Sequence, residues 1–352
     1  MAKTAAKTAI IIAWRKGESE LDVTIESAKQ NCGANTVICP VEDTDASGPG
    51  RTRHRGIMQM TDCDVIVIID AHMKFKDNVL KRLASYTRRT GNVACPVCHH
   101  NMGCDFTGGD YRGGHIEYQT DDPGITPRKG ALTFKWNLDT PAFGPIGCVG
   151  GACYSFRRKW YLKVGRPLAA LPGWGGDEEA LSISAWLSGK GPVLFNGHVA
   201  HRWRKRAPWM LTPREGRNIE LSRMALVNAI VADPNDRREL LQWLGFKPAP
   251  LTAEVEHWRD SLLRLPHTYA KWKAAQCQSK PEESAKPQTK QPKKQPPHHP
   301  RIVVPLHGIV CPHCRTAHDP LTIGVTHTYP HSRAHKCPKC GRNFITMMKA
   351  NG

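Results

Sequence analysis

The 352-residue sequence has no apolar run approaching the roughly 18 residues that a membrane-crossing helix needs. Its start, MAKTAAKTAIIIAWRKGE, lacks both an extended apolar core and a cleavage site. It reads as a first strand rather than a signal peptide. The thirteen cysteines are too sparse for a disulfide scaffold, and seven of them fall in C-x-x-C pairs or close by. That spacing suggests metal binding or reduced thiols, and hence a reducing, cytoplasmic compartment. Acidic residues are in deficit: 31 Asp and Glu against 50 Lys and Arg, a formal charge of +19. The excess says nothing about fold but favours a polyanionic partner or substrate. Large apolar residues are missing from 279–301, SKPEESAKPQTKQPKKQPPHHPR, which therefore cannot build a core and is expected to be an extended linker.

What is present divides the chain. Hydrophobic residues make up 40% of it, enough for a core over most of its length, and the length suits about two domains. The linker carries a net +4 and residues 302–352 a net +5, leaving +10 on residues 1–278. Strand and helix signals alternate in the first part. Strands are expected at Thr8–Trp14, Thr36–Pro40, Val65–Ile69 and Asn92–Val97, and helices at Leu21–Asn31, Arg53–Met60 and Asn78–Thr87. VIVII (65–69) is a continuous β-branched run, the mark of a strand buried on both faces. This rhythm predicts an open α/β sheet with parallel strands. Later, Glu178–Leu187 reads as a helix, Asp236 and Glu239 suit a capping box with Gly245 as the stop, and Ala253–Gln276 reads as amphipathic helix broken near Pro266.

Three motifs carry candidate chemistry. Asp70-Ala71-His72 directly follows VIVII, at the carboxyl end of a central strand, where ligands bind in open α/β sheets. A carboxylate and an imidazole two residues apart can reach one divalent ion; the plainer reading is a helix cap and an exposed histidine. Trp174-Gly175-Gly176-Asp177-Glu178-Glu179 pairs close-approach glycines and a flat aromatic face with acids that open a helix. A simple cap needs only one of those acids. His198-Val199-Ala200-His201 runs into Arg202-Trp203-Arg204-Lys205-Arg206, a histidine beside dense positive charge. It suits a metal and a diphosphate, or a solvated basic face.

Taken in order, these stretches resemble GT-A glycosyltransferases, in particular the polypeptide N-acetylgalactosaminyltransferase type. RTRHRGIMQMTDCDVIVIIDAHMKF (51–75) resembles that family's Arg-rich helix, apolar strand and Asp-x-His. GGACYSFRRKWYLKVG (150–165) resembles its Gly-Gly segment, and WGGDEEALSISAW (174–186) its Trp-Gly-Gly-Glu-Asn helix. HVAHRWRKRAPW (198–209) resembles its closing segment, and RKGALTFKWN (128–137) a segment ending Phe-Lys-Trp. The resemblance covers roughly residues 8–230. It implies that Asp70, His72 and His201 hold a divalent metal, Mn²⁺ first among candidates, that bridges the diphosphate of a nucleotide-sugar donor. It implies that Arg53 and Arg204 bind that donor, Arg204 at the diphosphate, and that Asp43 is the base- or ribose-binding acid. It implies catalytic-site roles for Trp174, Asp177 and Glu178 at the transferred sugar or the acceptor. Asp177 stands where the family has Glu and Glu178 where it has Asn, and Trp203 and Trp209 replace Phe and Tyr. The Asp-Glu pair equally suits the general base of an inverting family-2 enzyme.

The tail holds a fourth motif. Cys311-Pro-His-Cys314 and Cys337-Pro-Lys-Cys340-Gly341 are 22 residues apart, spacing that suits tetrahedral Zn²⁺ in a zinc ribbon, with a redox dithiol as the alternative. A 50-residue module of this kind is expected to need its metal to fold. A further cluster, Cys95, Cys98, His99, His100 and Cys104, reads either as ordinary strand and loop or as a second zinc site. Among the ten tryptophans, Trp203, Trp209, Trp243, Trp258 and Trp272 sit in the basic C-terminal half, where they suit core packing or stacking on bases. The expected organisation is a Rossmann-like GT-A nucleotide-sugar domain at 1–250, a helical extension at 251–278, the linker at 279–301 and a zinc ribbon at 302–352. The expected activity is metal-dependent sugar transfer to a hydroxyl, with a hydroxymethylated base in DNA, as in phage DNA modification, as first acceptor. The alternatives are a protein or cell-envelope acceptor, and a zinc-ribbon nucleic-acid-binding protein with an inactive transferase domain.

Overall fold

The computed structural model describes residues 7–117, 132–137, 143–203, 213–231, 233–246, 251–268 and 270–272, together with six strands between 301 and 347. The chain divides into two compact units, Met1–Pro281 and Glu282–Gly352.

The first unit opens with β1 (Lys7–Trp14), α1 (Leu21–Asn31), β2 (Thr36–Glu42), α2 (Pro49–Gln59), β3 (Cys63–Asp70) and β4 (Met73–Phe75). It continues through α3 (Val79–Thr90), β5 (Ala94–Asn101), β6 (Gly109–Tyr111), β7 (Gly114–Glu117), β8 (Thr133–Trp136), β9 (Gly144–Pro145) and β10 (Cys153–Arg157). It closes with α4 (Arg158–Lys163), a 3₁₀ turn at Pro167–Ala170, α5 (Asp177–Leu187), β11 (Val193–Arg202), α6 (Pro213–Ile230), α7 (Pro234–Trp243) and α8 (Ala253–Leu262). The main sheet runs β2-β1-β3-β10-β5-β11-β4, with β6 beside β5 and β9 beside β11.

The sheet is mixed, not parallel as the strand–helix rhythm suggested. β2, β1 and β3 are parallel, and so are β5 and β11, but β10 runs antiparallel between β3 and β5, and β4 antiparallel beside β11. The run Ile66–Ile69 of β3 is fully buried, as its β-branched sequence demands, because helices cover both faces. One core holds Ala28 of α1 and Leu80 and Leu83 of α3 against Val65, Val67 and Ile69; the other holds Ile57 of α2, Trp160 of α4 and Leu181 of α5 against Ile66 and Ile68. Alternation along one strand feeds both cores.

Two local expectations shift. The cap of α7 is Asp233, whose carboxylate accepts from the Asn235 and Asp236 backbone N–H groups, with Pro234 in the first helical position. That arrangement outcompetes an Asp236 cap because Pro234 has no N–H to satisfy. The segment expected as a separate extension, 251–278, puts Trp258 and Trp272 into the main core, where Trp258 Nε1 donates to Ser184 Oγ (3.1 Å). Among the described residues, no helix is long and apolar enough to cross a membrane.

The second unit contains β12 (Arg301–Val303), β13 (Ile309–Val310), β14 (Ala317–His318), β15 (Val325–Tyr329), β16 (Ser332–Lys336) and β17 (Asn343–Met347). β13 pairs antiparallel with β14, and the other four form a sheet in the order β12-β17-β16-β15.

Candidate active site

Asp70 is the last residue of β3 and projects from the carboxyl edge of the sheet. His72 follows in the short step to β4. His201 reaches the same point from far along the chain, because β11 pairs in register with both neighbours: His201 stands opposite Met73 of β4 and opposite His100 of β5. Ligand atoms of Asp70, His72 and His201 all lie within 4.8 Å of one another. His201 Nε2 is 3.4 Å from Asp70 Oδ2, and the His72 and His201 ring centroids are 4.6 Å apart.

Each of the three is held from behind through its other polar atom. Arg53 Nη2 donates to Asp70 Oδ1 at 2.6 Å. His72 Nδ1 lies 3.2 Å from Oε2 of Glu18, whose side chain is 2% exposed. His201 Nδ1 lies 3.1 Å from His100 Nδ1. One oxygen and two imidazole Nε2 atoms are thus left to face one another. Burial on its own raises the Asp70 carboxyl, but the His201 hydrogen bond and the charges of Arg53, His201 and His72 outweigh it and hold Asp70 far below the usual carboxylate range. Burial, and then the charge of His201, push His100 down to about 3, so its ring is neutral.

Arg53 links this cluster to α5. The residue is 5% exposed; besides Asp70, its Nη1 donates to Asp177 Oδ2 (2.5 Å) and to the Tyr154 hydroxyl (3.3 Å). Arg53 and Asp177 each have partners that the resemblance did not imply. Arg53 pairs with two carboxylates. Asp177, 2% exposed, does not present its carboxylate to a sugar or acceptor; it is the buried counter-ion of Arg53 at the first turn of α5.

The Trp-Gly-Gly prefix has a backbone reason. Gly175 and Gly176 take φ of +84° and +89°, a region that glycine enters without steric cost. The turn leaves Trp174 61% exposed just before the acidic turn. Glu178 is half-buried; burial, then the charges of Asp177 and Glu179, push its carboxyl up to about 8. Its position depends on the Gly-Gly segment, since a Cβ on Gly151 would stand 1.8 Å from Glu178 Oε1. Glu179 accepts the Phe134 N–H (2.9 Å), and burial pushes it up to about 7.

Other expected site residues lie elsewhere. Asp43, just past β2, accepts from Arg15 (2.8 Å) and from the backbone N–H groups of Ser47 (2.9 Å) and Gly48 (3.2 Å). Its carboxylate holds the turn into α2 instead of standing free for a base or ribose. Cys95 and Cys98 belong to opposite cores, because three residues along a strand reverse the face. Cys104 directs its thiol to the carbonyls of His72 and Ala200. Among the described residues, Asp70, His72 and His201 form the one cluster of three or more ligand-type side chains. Trp203 is 54% exposed, whereas Trp258 and Trp272 are core residues. Arg204, Trp209 and the cysteines 311, 314, 337 and 340 lie outside the described residues. Sequence reasoning missed Glu18 as the support of His72, and it read His100 as an ordinary strand residue or a zinc ligand, not as a partner of His201.

The fold is that of the GT-A glycosyltransferases: with 15% identity, the chain superposes on a crystal structure of GalNAc-T7 with UDP, GalNAc and Mn²⁺ at a TM-score of 0.58, covering 77% of this chain and 56% of that one. In sequence it is 26% identical over 165 residues to human polypeptide N-acetylgalactosaminyltransferase 10, which takes in 45% of this chain and 26% of that protein. It is 25% identical over 201 residues to human polypeptide N-acetylgalactosaminyltransferase 13, or 54% of this chain and 34% of that one. A putative Drosophila melanogaster polypeptide N-acetylgalactosaminyltransferase 13 is 24% identical over 140 residues, 39% and 25% respectively. The chain therefore spans about a quarter of the length of the first curated relatives it matches. No family model matches it.

Proposed function

We propose that this chain is a divalent-cation-dependent glycosyltransferase that takes its sugar from a nucleotide-diphosphate donor. The observation that carries the proposal is the convergence of Asp70, His72 and His201 at the carboxyl edge of the sheet, each with one ligand atom turned inward. One carboxylate oxygen and two imidazole nitrogens suit a borderline cation such as Mn²⁺, and three protein ligands leave positions open for phosphate oxygens. When bound, such a cation offsets the negative charge that grows on the departing nucleotide diphosphate.

The chain's own groups would do the rest. Arg53 keeps Asp70 Oδ1 occupied, so Asp70 offers a single oxygen. Trp174 presents a flat face for a sugar ring. Glu178, whose carboxyl burial and the neighbouring acids push up to about 8, would share a hydrogen bond with a substrate oxygen. Arg204 follows His201 by three residues and is assigned to the diphosphate on the strength of the resemblance. The solved relative holds UDP and GalNAc, so UDP-sugars are the first donors to supply.

For the acceptor we infer a hydroxyl on a nucleic-acid base. The +19 charge and the cysteine-bearing tail support this reading. Cys311-Pro-His-Cys314 and Cys337-Pro-Lys-Cys340, 22 residues apart in the sequence, have the spacing of a zinc ribbon.

The test is nucleotide-sugar hydrolysis with Mn²⁺. Asp70→Ala is expected to lower the rate at least about 100-fold. Equal background rates for wild type and variant would overturn the enzyme reading and favour the nucleic-acid-binding alternative. Mass spectrometry of DNA from cells expressing the protein, grown with candidate sugars, tests the acceptor.

A further inference from the structure

Two of the three inward-facing groups are imidazoles, and they are backed differently. Behind His72 stands a carboxylate, Glu18. Behind His201 stands another imidazole, His100, with Nδ1 3.1 Å from Nδ1. A contact of that length between two ring nitrogens holds one proton, and which ring carries it decides what His201 offers to the cluster.

If His201 Nδ1 carries the proton and donates to His100, then His201 Nε2 is a bare lone pair facing Asp70 Oδ2 and His72. If His100 is the donor, His201 is protonated on Nε2, and that N–H points at Asp70 Oδ2, 3.4 Å away, where a cation would otherwise sit. The first arrangement builds the site and the second closes it.

We propose that His100 is the positioning residue of His201: by accepting the Nδ1 proton, it fixes the tautomer and the ring orientation that turn a bare Nε2 toward Asp70 and His72. The inference rests on the cation-binding reading above. Three observations carry it. The β5–β11 register places the two residues opposite each other, so their contact is built into the sheet. The His100 ring is walled by Tyr111, Trp136 and Trp203 at centroid distances of 4.5, 4.9 and 6.1 Å, all close to perpendicular, which restrains its orientation. Its Nε2 is buried with no hydrogen-bond partner among the described residues. In the building arrangement that Nε2 carries a proton. A supporting group behind a metal-bound histidine is usually a carboxylate or a carbonyl, and its loss lowers metal affinity by roughly 10- to 100-fold.

Two substitutions separate positioning from packing. His100→Phe keeps a ring among the aromatics but removes the acceptor. His100→Asn loses the ring but keeps a side-chain oxygen that can accept from His201. The measurements are Mn²⁺ affinity by isothermal titration, and the tautomers of His100 and His201 from their imidazole ¹⁵N shifts with saturating Mg²⁺, a diamagnetic cation. The expected results are an affinity loss of about 10- to 100-fold for His100→Phe, substantial recovery in His100→Asn, and, in the Mg²⁺-loaded wild type, an Nδ1–H tautomer at His201 facing an Nε2–H tautomer at His100. Affinity within twofold of wild type in His100→Phe, or an Nδ1–H tautomer at His100 with Mg²⁺ bound, would overturn the proposal. So would equal losses in the two variants, which would mark a packing effect. Wild type and Asp70→Ala serve as controls. If neither binds Mn²⁺, the cation-binding reading itself fails; if wild type binds and His100→Phe binds equally well, only the role of His100 fails.

Discussion

Replacing Arg53 with Met removes a cation that both Asp70 and Asp177 touch. The two carboxylates are not equally exposed to the loss. The Asp70 side chain is 26% exposed and His201 remains beside it, so water and imidazole absorb part of its charge. Asp177 is sealed in, and burial already raises its pKa against the pull of Arg53. Breaking a buried pair by deleting one partner typically costs about 3–5 kcal/mol, and here most of it falls on Asp177. Against a domain stability on the order of 5–15 kcal/mol, that is a large fraction. Urea denaturation monitored by tryptophan fluorescence measures it. The sign with pH follows from the same charge. With Arg53 gone, Asp177 is a buried acid with a raised pKa, so its stability contribution is present at low pH and lost as pH rises. The deficit of Arg53→Met is thus smaller at pH 5 than at pH 8. Arg53→Met with Asp177→Leu should regain about half the loss, because no buried charge is then left alone. A deficit under about 1 kcal/mol, or strict additivity of the two substitutions, would refute the bridging argument.

Stability should also track Glu178 and Glu179. Their carboxyls lie near 8 and 7 in the folded state, against ordinary values near 4.5, so stability declines as pH rises from about 4.5 to 8 and then levels off. Glu178→Gln should flatten the upper part of that slope; an unchanged profile would contradict the assignment. Gly151→Ala should leave the unfolding midpoint nearly unchanged yet lower sugar transfer, since the clashing atom is the movable end of Glu178. Full transfer activity would show that the Glu178 carboxyl is not needed where it stands. Elemental analysis should find about one zinc per chain, lost in Cys311→Ser with Cys337→Ser. Zinc retained in that double variant would place it at other residues.

Local sequence settled much of the scaffold. A short β-branched run such as VIVII favours a strand covered on both sides, and this one is such a strand. The Trp-Gly-Gly-acid pattern announced a helix entered through backbone that glycine favours. Asp70 and His72 were legible as a pair because a single residue separates them at a strand's end. The spacing of Cys95 and Cys98 left two readings open: on a hairpin such a pair converges, but on β5 strand alternation sends the two thiols into different cores.

Only the tertiary structure decided the rest. Nothing near residue 153 says that β10 inserts antiparallel between β3 and β5. Arg53 and Asp177 are 124 residues apart, and His100 and His201 are 101 apart. The sequence determined which side chains the protein has and which elements they favour. Strand register and burial determined which of them meet, because pairing across a sheet is set by the summed fit of whole strands and leaves no mark on the individual residues it brings together.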